Sequence, residues 1–169
     1  YPYLANADLA LGLAAWLRFL GIGSKSLWYD EAWSVALASV DLKTAVILVK
    51  GQIYPPLYQI LLHFWLALFG TSETAARSLS AVFGIASVAA LYNLTVRISD
   101  RRTALVAALI LSVSPFHVEY SQEARGYSLL VLLSLLSYDL LLVWLKEHEW
   151  KTGTAYVVFT ALCLHTHPY

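Results

Sequence analysis

The sequence predicts an all-α integral membrane protein, and three observations carry that prediction. Of its 169 residues, 59% are hydrophobic and 13% charged, against about 25% charged in an average soluble domain. The mean hydropathy is +0.63. The apolar residues come in long runs, and a chain crossing lipid must satisfy its backbone internally, which isolated strands cannot do. Eleven basic residues balance eleven acidic ones, so nothing points to a nucleic-acid partner.

A bilayer core of about 30 Å needs about 20 apolar residues as helix. Residues 4–22 open the chain with such a run, and no charged leader or cleavage site precedes it, so it reads as a span and not a signal peptide. Residues 24–74 are different. The stretch 30–50 alternates Trp33, Leu37, Val40, Ala45 and Leu48 with Asp41, Lys43 and Lys50, which suits a helix lying at the interface. Pro55 and Pro56 then open an apolar stretch, 57–69, that Gly70 closes. At about 14 residues it is too short to cross and reads as interfacial or re-entrant. Further spans are expected over 79–98, 102–118, 127–145 and 153–164, making about five. The chain has no Met and runs apolar to its last residues. It is expected to be a single transmembrane domain, residues 1–169, forming the amino-terminal part of a larger enzyme.

With 57–69 not crossing, Arg97, Asp100, Arg101, Arg102 and the segment 146–151 fall on one side. Asp30, Glu31 and the segment 119–125 fall on the other. Short Lys- and Arg-rich loops favour the cytoplasm, which turns the acidic motifs outward, although Lys25, Lys43, Lys50, Arg77 and Arg125 share their side.

Two motifs carry candidate chemistry. In Trp28-Tyr29-Asp30-Glu31-Ala32-Trp33, paired carboxylates among aromatics at a membrane surface cost desolvation energy. The structural reading makes Asp30 the cap of a helix starting at Glu31. In the segment 117–127, a continuous helix would put Glu119 and Glu123 on one face, with His117, Ser121 and Arg125 beside them. The plainer reading is a solvated loop in which Arg125 neutralises Glu123. Glu73 and Arg77 have the spacing of an ion pair. His165 and His167 point to different helix faces, which disfavours a metal pair. His63 reads as a buried, hydrogen-bonded histidine. Cys163 stands alone.

In order along the chain come Ser26-Leu27-Trp28-Tyr29-Asp30-Glu31-Ala32-Trp33, Pro55-Pro56-Leu57-Tyr58, Phe69-Gly70-Thr71-Ser72-Glu73, Arg77-Ser78-Leu79-Ser80-Ala81, Ser114-Pro115-Phe116-His117 and Tyr120-Ser121-Gln122-Glu123-Ala124-Arg125-Gly126-Tyr127. This ordered set resembles the amino-terminal part of the family 39 glycosyltransferases, the protein-mannosyltransferase-like members of the GT-C superfamily. The resemblance implies about a dozen spans in the whole enzyme and interfacial helices in the first outer loop. It also implies transfer of a sugar from a polyprenyl-phosphate carrier to an acceptor hydroxyl with inversion, the acceptor being a protein, lipid or glycan. The family's usual base is the Asp of its Asp-Glu pair, here Asp30. Where the family often has His before Pro-Pro, this chain has Tyr54.

The residues fit that chemistry independently. The leaving group is an activated phosphate, so no nucleotide site is needed. Transfer wants a carboxylate for the acceptor proton and a cation for the departing phosphate. Asp30 suits the first role and Arg125, with its forked donors, the second. Glu31 and Glu123 are expected to hold sugar hydroxyls or to orient Arg125, and Tyr58 and His117 to line the substrate site. A divalent metal between carboxylates is compatible with this chemistry but not required by it. The rival readings are a transporter or channel fragment, which predicts charges at mid-span, and a non-catalytic membrane scaffold.

Overall fold

The computed structural model describes residues 2–41, 44 and 56–166, and every regular element among them is an α-helix. They are α1 (Pro2–Phe19), α2 (Tyr29–Ser39), α3 (Leu57–Phe69), α4 (Glu73–Ile98), α5 (Arg101–Val113), α6 (Pro115–Ser121), α7 (Tyr127–Glu147) and α8 (Trp150–Leu164).

The helix α4 is the axis of the bundle. Ser72 starts it by accepting the Ala75 N–H on its hydroxyl. Ala76, Ser80, Ala81, Gly84 and Ser87 are buried along it, and such small side chains let neighbouring helices approach closely. On one flank Ala10 and Ala14 of α1 meet Val88 of α4 and Ala108 of α5. On the other, Tyr58, Leu62 and Leu66 of α3 meet Leu79 of α4 and Leu129 and Leu133 of α7. Asp100 caps α5 through the N–H groups of Arg102 and Thr103. These bonds hold the Asp100 carboxyl below its usual range. Gly70 ends α3 at φ +84°, a left-handed conformation that a side chain would strain.

Among the described residues two helices, α4 and α7, are long and apolar enough to cross a membrane, and α5 with α6 makes a third if that bent pair is one span. About five spans are expected from the sequence. The difference lies in the helices at either end of the chain. Helix α8 has 15 residues, a rise of about 22 Å, and α1 carries Asp8 and Arg18 within its 18 residues. The expected helix over 102–118 is broken at Ser114-Pro115, where α5 and α6 diverge by 60°, because proline cannot continue the hydrogen-bond ladder. Helix α3 is short and apolar as expected, while most of the 40–55 stretch, with Tyr54 and Pro55, lies outside the described residues, as does His167.

The charged and catalytic candidates separate along the bundle. The end of α1, the starts of α2, α4 and α7 and the end of α6 gather at one end, where the Leu57 N–H also reaches the His165 carbonyl at 3.2 Å. Arg97, which pairs with Asp139 of α7, and Arg101 and Arg102 lie at the other.

Candidate active site

Asp30 and Glu31 are neighbours in sequence with opposite environments. Trp28, not Asp30, stands at the N-cap, so α2 begins two residues earlier than expected and Asp30 sits in its first turn. A carboxylate is favourable there beside the helix dipole. The Asp30 side chain is 37% exposed, and its Oδ2 lies 3.7 Å from Arg125 Nη2, whose side chain is 10% exposed.

Glu31 is fully buried. Its Oε1 accepts from Arg77 Nε at 2.8 Å and from the Ala124 N–H at 2.9 Å. Its Oε2 accepts from Arg77 Nη2 at 2.6 Å and from the Trp28 N–H at 3.3 Å. Burial pushes this carboxyl up, but the bonds from Arg77, Ala124 and Trp28 outweigh burial and hold it below its usual range. Arg77 spends its remaining donors on the carbonyls of Ile22, Lys25 and Ser26, at 2.9, 2.7 and 3.1 Å. All five guanidinium N–H groups are therefore engaged, and the partner expected from i,i+4 spacing, Glu73, is not among the acceptors. One ion pair thus ties together the loop 20–28, the start of α2, the start of α4 and the turn 122–126.

That turn carries the other half of the site. Helix α6 stops at Ser121, so Glu119 and Glu123 do not share a helix face as the continuous pattern predicts. Arg125 is fixed through its backbone, its N–H donating to Glu123 O at 2.8 Å and its carbonyl accepting from Ser80 Oγ at 3.1 Å. Ser80 Oγ also meets the Tyr58 hydroxyl at 2.8 Å. The guanidinium carbon lies 5.9 Å from the Tyr127 ring centre, within cation–π range.

Beside the Glu31–Arg77 pair opens a cleft of about 370 Å³, lined in part by Lys25, Trp28, Glu119, Gln122 and Glu123, with neither Asp30 nor Arg125 in its lining. Burial, then the charges of Glu31 and Glu119, push the Glu123 carboxyl above its usual range. Tyr58 and His117 do not line the cleft. Tyr58 is 2% exposed against Ser80, and burial pushes its phenol up. His117 is buried, with Nδ1 2.6 Å from Arg18 Nη2. His63 is hydrogen-bonded as expected, to the Ala38 carbonyl at 2.8 Å. Among the described residues no three His, Cys, Asp or Glu side chains converge as a metal set.

The structure therefore brings Asp30, Glu31, Glu123 and Arg125 together and sets Tyr58 and His117 behind them as supports. Sequence reasoning missed Ser80 and Gln122, and it gave Arg77 the wrong partner. Arg18 had a readable signal, an ionisable residue inside an apolar run; the two small polar residues had none.

A family model described as dolichyl-phosphate-mannose-protein mannosyltransferase matches residues 54–168. That range is more than half of the chain and contains Tyr58, Arg77, Glu123 and Arg125, whereas Asp30 and Glu31 precede it. No curated protein and no solved structure matches the chain.

Proposed function

The chain belongs to the dolichyl-phosphate-mannose-protein mannosyltransferase family, and from that premise we propose that it moves mannose or a similar sugar from a polyprenyl-phosphate carrier to an acceptor hydroxyl, with inversion. The acceptor is a protein, lipid or glycan, and the site faces the outer membrane–water interface. The single observation supporting this reading most directly is the meeting of Asp30 and Arg125, 95 positions apart in sequence, at 3.7 Å.

In this mechanism Asp30 takes the proton of the acceptor hydroxyl as its oxygen bonds to the anomeric carbon. The bond from that carbon to the carrier phosphate breaks on the opposite face, and Arg125 stabilises the departing phosphate. Asp30 is exposed enough to meet an acceptor. The guanidinium of Arg125 is shielded from solvent, which strengthens its attraction for phosphate. Inversion puts nucleophile and leaving group on opposite faces of the sugar, so donor binding must part the two side chains by about the width of a sugar ring. Glu123 and Trp28, on the adjoining cleft, are suited to hold sugar hydroxyls and a sugar face. Glu31, with every bond inside the protein, orients the Arg125 turn in place of binding sugar.

The test is release of labelled mannose from a polyprenyl-phosphate donor by the full-length protein in membranes. Asp30→Asn is expected to lower turnover by roughly 10²- to 10⁴-fold, and Arg125→Lys to lower it while preserving the charge. Full turnover by Asp30→Asn would remove the base assignment.

A further inference from the structure

The break between α5 and α6 leaves carbonyls that a distant helix satisfies. Pro115 has no N–H, so the Leu111 carbonyl loses the donor that an unbroken helix would supply. The bend takes the Ser112 carbonyl out of line as well. Arg18, from the last turn of α1, donates Nη2 to Leu111 O at 3.3 Å and Nη1 to Ser112 O at 3.2 Å. It also donates to Ala14 O at 3.0 Å and to His117 Nδ1. The side chain is fully buried, and among the described residues no carboxylate lies within ion-pair distance of it. Its charge is answered by the carbonyl end of a helix.

The reverse contact is present too. Gln122, the residue just after α6, sends Nε2 to the carbonyls of Leu17, Arg18 and Leu20 at 3.0, 3.2 and 3.1 Å. These are carbonyls at the end of α1, where helical donors have run out. The end of α1 therefore caps the C-terminus of α5, and the residue that closes α6 caps the C-terminus of α1. Gly84 on α4 leaves room for the crossing, since an added Cβ would lie 2.2 Å from Ser121 Oγ and 2.9 Å from Arg18 Nε. The cluster is not optimised for stability alone: Arg18 Nε and His117 Nε2 are buried with no hydrogen-bond partner among the described residues, and unpaired buried donors are costly.

The two latched segments lead directly into the two site side chains, the loop 20–28 into Asp30 and the turn 122–126 into Arg125. We propose that Arg18 and Gln122 are positioning residues for sugar transfer, and that their capping contacts set the separation of Asp30 from Arg125. This rests on the reading of Asp30 and Arg125 as base and phosphate cation. The essential property of Gln122 is then donation to carbonyls. An ammonium supplies donors and suits a helix C-terminus, while a carboxylate supplies only acceptors.

Two measurements on the full-length protein in membranes test the proposal. In the first, turnover of labelled polyprenyl-phosphate mannose is followed for Gln122→Glu and Gln122→Lys. Gln122→Glu is expected to lower kcat on the order of 10- to 100-fold, with the donor KM within about two-fold; Gln122→Lys is expected to recover most of the loss. In the second, Asp30→Cys and Arg125→Cys are combined with Cys163→Ser, and the rate of disulfide formation reports their separation without any sugar transfer. Gln122→Glu should slow that rate several-fold and Gln122→Lys should not. Equal damage from the two replacements, a loss confined to KM, or an unchanged cross-linking rate would overturn the proposal. Full turnover by Asp30→Asn would instead defeat the base assignment and leave the cross-linking result standing.

Discussion

Adjacent carboxylates with opposite environments should respond oppositely to the same loss of charge. Glu31→Gln keeps the side-chain shape but removes the anion facing Arg77, whose Nε and Nη2 lie 2.8 and 2.6 Å from it. Breaking a buried ion pair by neutralising one partner costs about 3–5 kcal/mol, and Gln retains one acceptor oxygen, so the low end, about 3 kcal/mol, applies. If the pair is already broken in the transition state for unfolding, thermal inactivation accelerates by at most about 150-fold. The sign with pH follows from the depressed Glu31 pKa. Its contribution is complete above the unfolded value of about 4.3 and is lost as pH falls through the lower folded value, so the difference between wild type and Glu31→Gln should shrink in that acid window. Asp30→Asn should behave differently. Its ion pair is long and partly solvated, worth about 0–1 kcal/mol, so inactivation stays near the wild-type rate while turnover collapses. The assay is the rate of thermal inactivation of the full-length protein in membranes, from neutral pH down to about pH 2, below the unfolded carboxylate value, beside turnover. Wild-type inactivation by Glu31→Gln, with its effect confined to the donor KM, would refute the reasoning and make Glu31 a substrate ligand.

Gly84→Ala should destabilise by about 1–3 kcal/mol, because the new Cβ would lie 2.7 Å from Ser121 Cβ and rotating the serine hydroxyl cannot relieve that contact; circular dichroism melting reads it, and an unchanged midpoint would contradict the packing. Glu123→Gln should raise thermal stability at neutral pH. The Glu123 pKa is raised by burial and by neighbouring carboxylates, so its unfavourable charge grows as pH rises from the unfolded value through the folded one. The gain should vanish below about pH 4, where the unfolded carboxyl also protonates, and a gain that persists there would refute this account.

The membrane class, the helix order and the gathering of the Asp-Glu pair and the 117–127 segment at one end were legible in the sequence. Each depends on local quantities, namely run length, capping residues and Pro or Gly at boundaries. The Asp-Glu pair and the 117–127 segment were legible as chemistry for the same reason, being dense ionisable residues beside lipid-length runs. Pairing was not legible. The i,i+4 rule gave Arg77 to Glu73, whereas the bundle gave it to Glu31, 46 positions away, because a buried carboxylate needs its cation more than a surface one does. The continuous helix expected over 102–118 failed at Pro115, and the shared face for Glu119 and Glu123 failed because α6 stops at Ser121.

What the sequence determined by itself was which residue types stand at which end of which apolar run, since hydrophobic length and backbone satisfaction in lipid act locally. Only the tertiary structure decided that Asp30 stays accessible while Glu31 is buried, that Arg125 faces Asp30, and that Arg18 and Gln122 bind the two halves of the site. Those outcomes depend on where orphaned carbonyls and buried charges meet in space, and chain order does not encode such meetings.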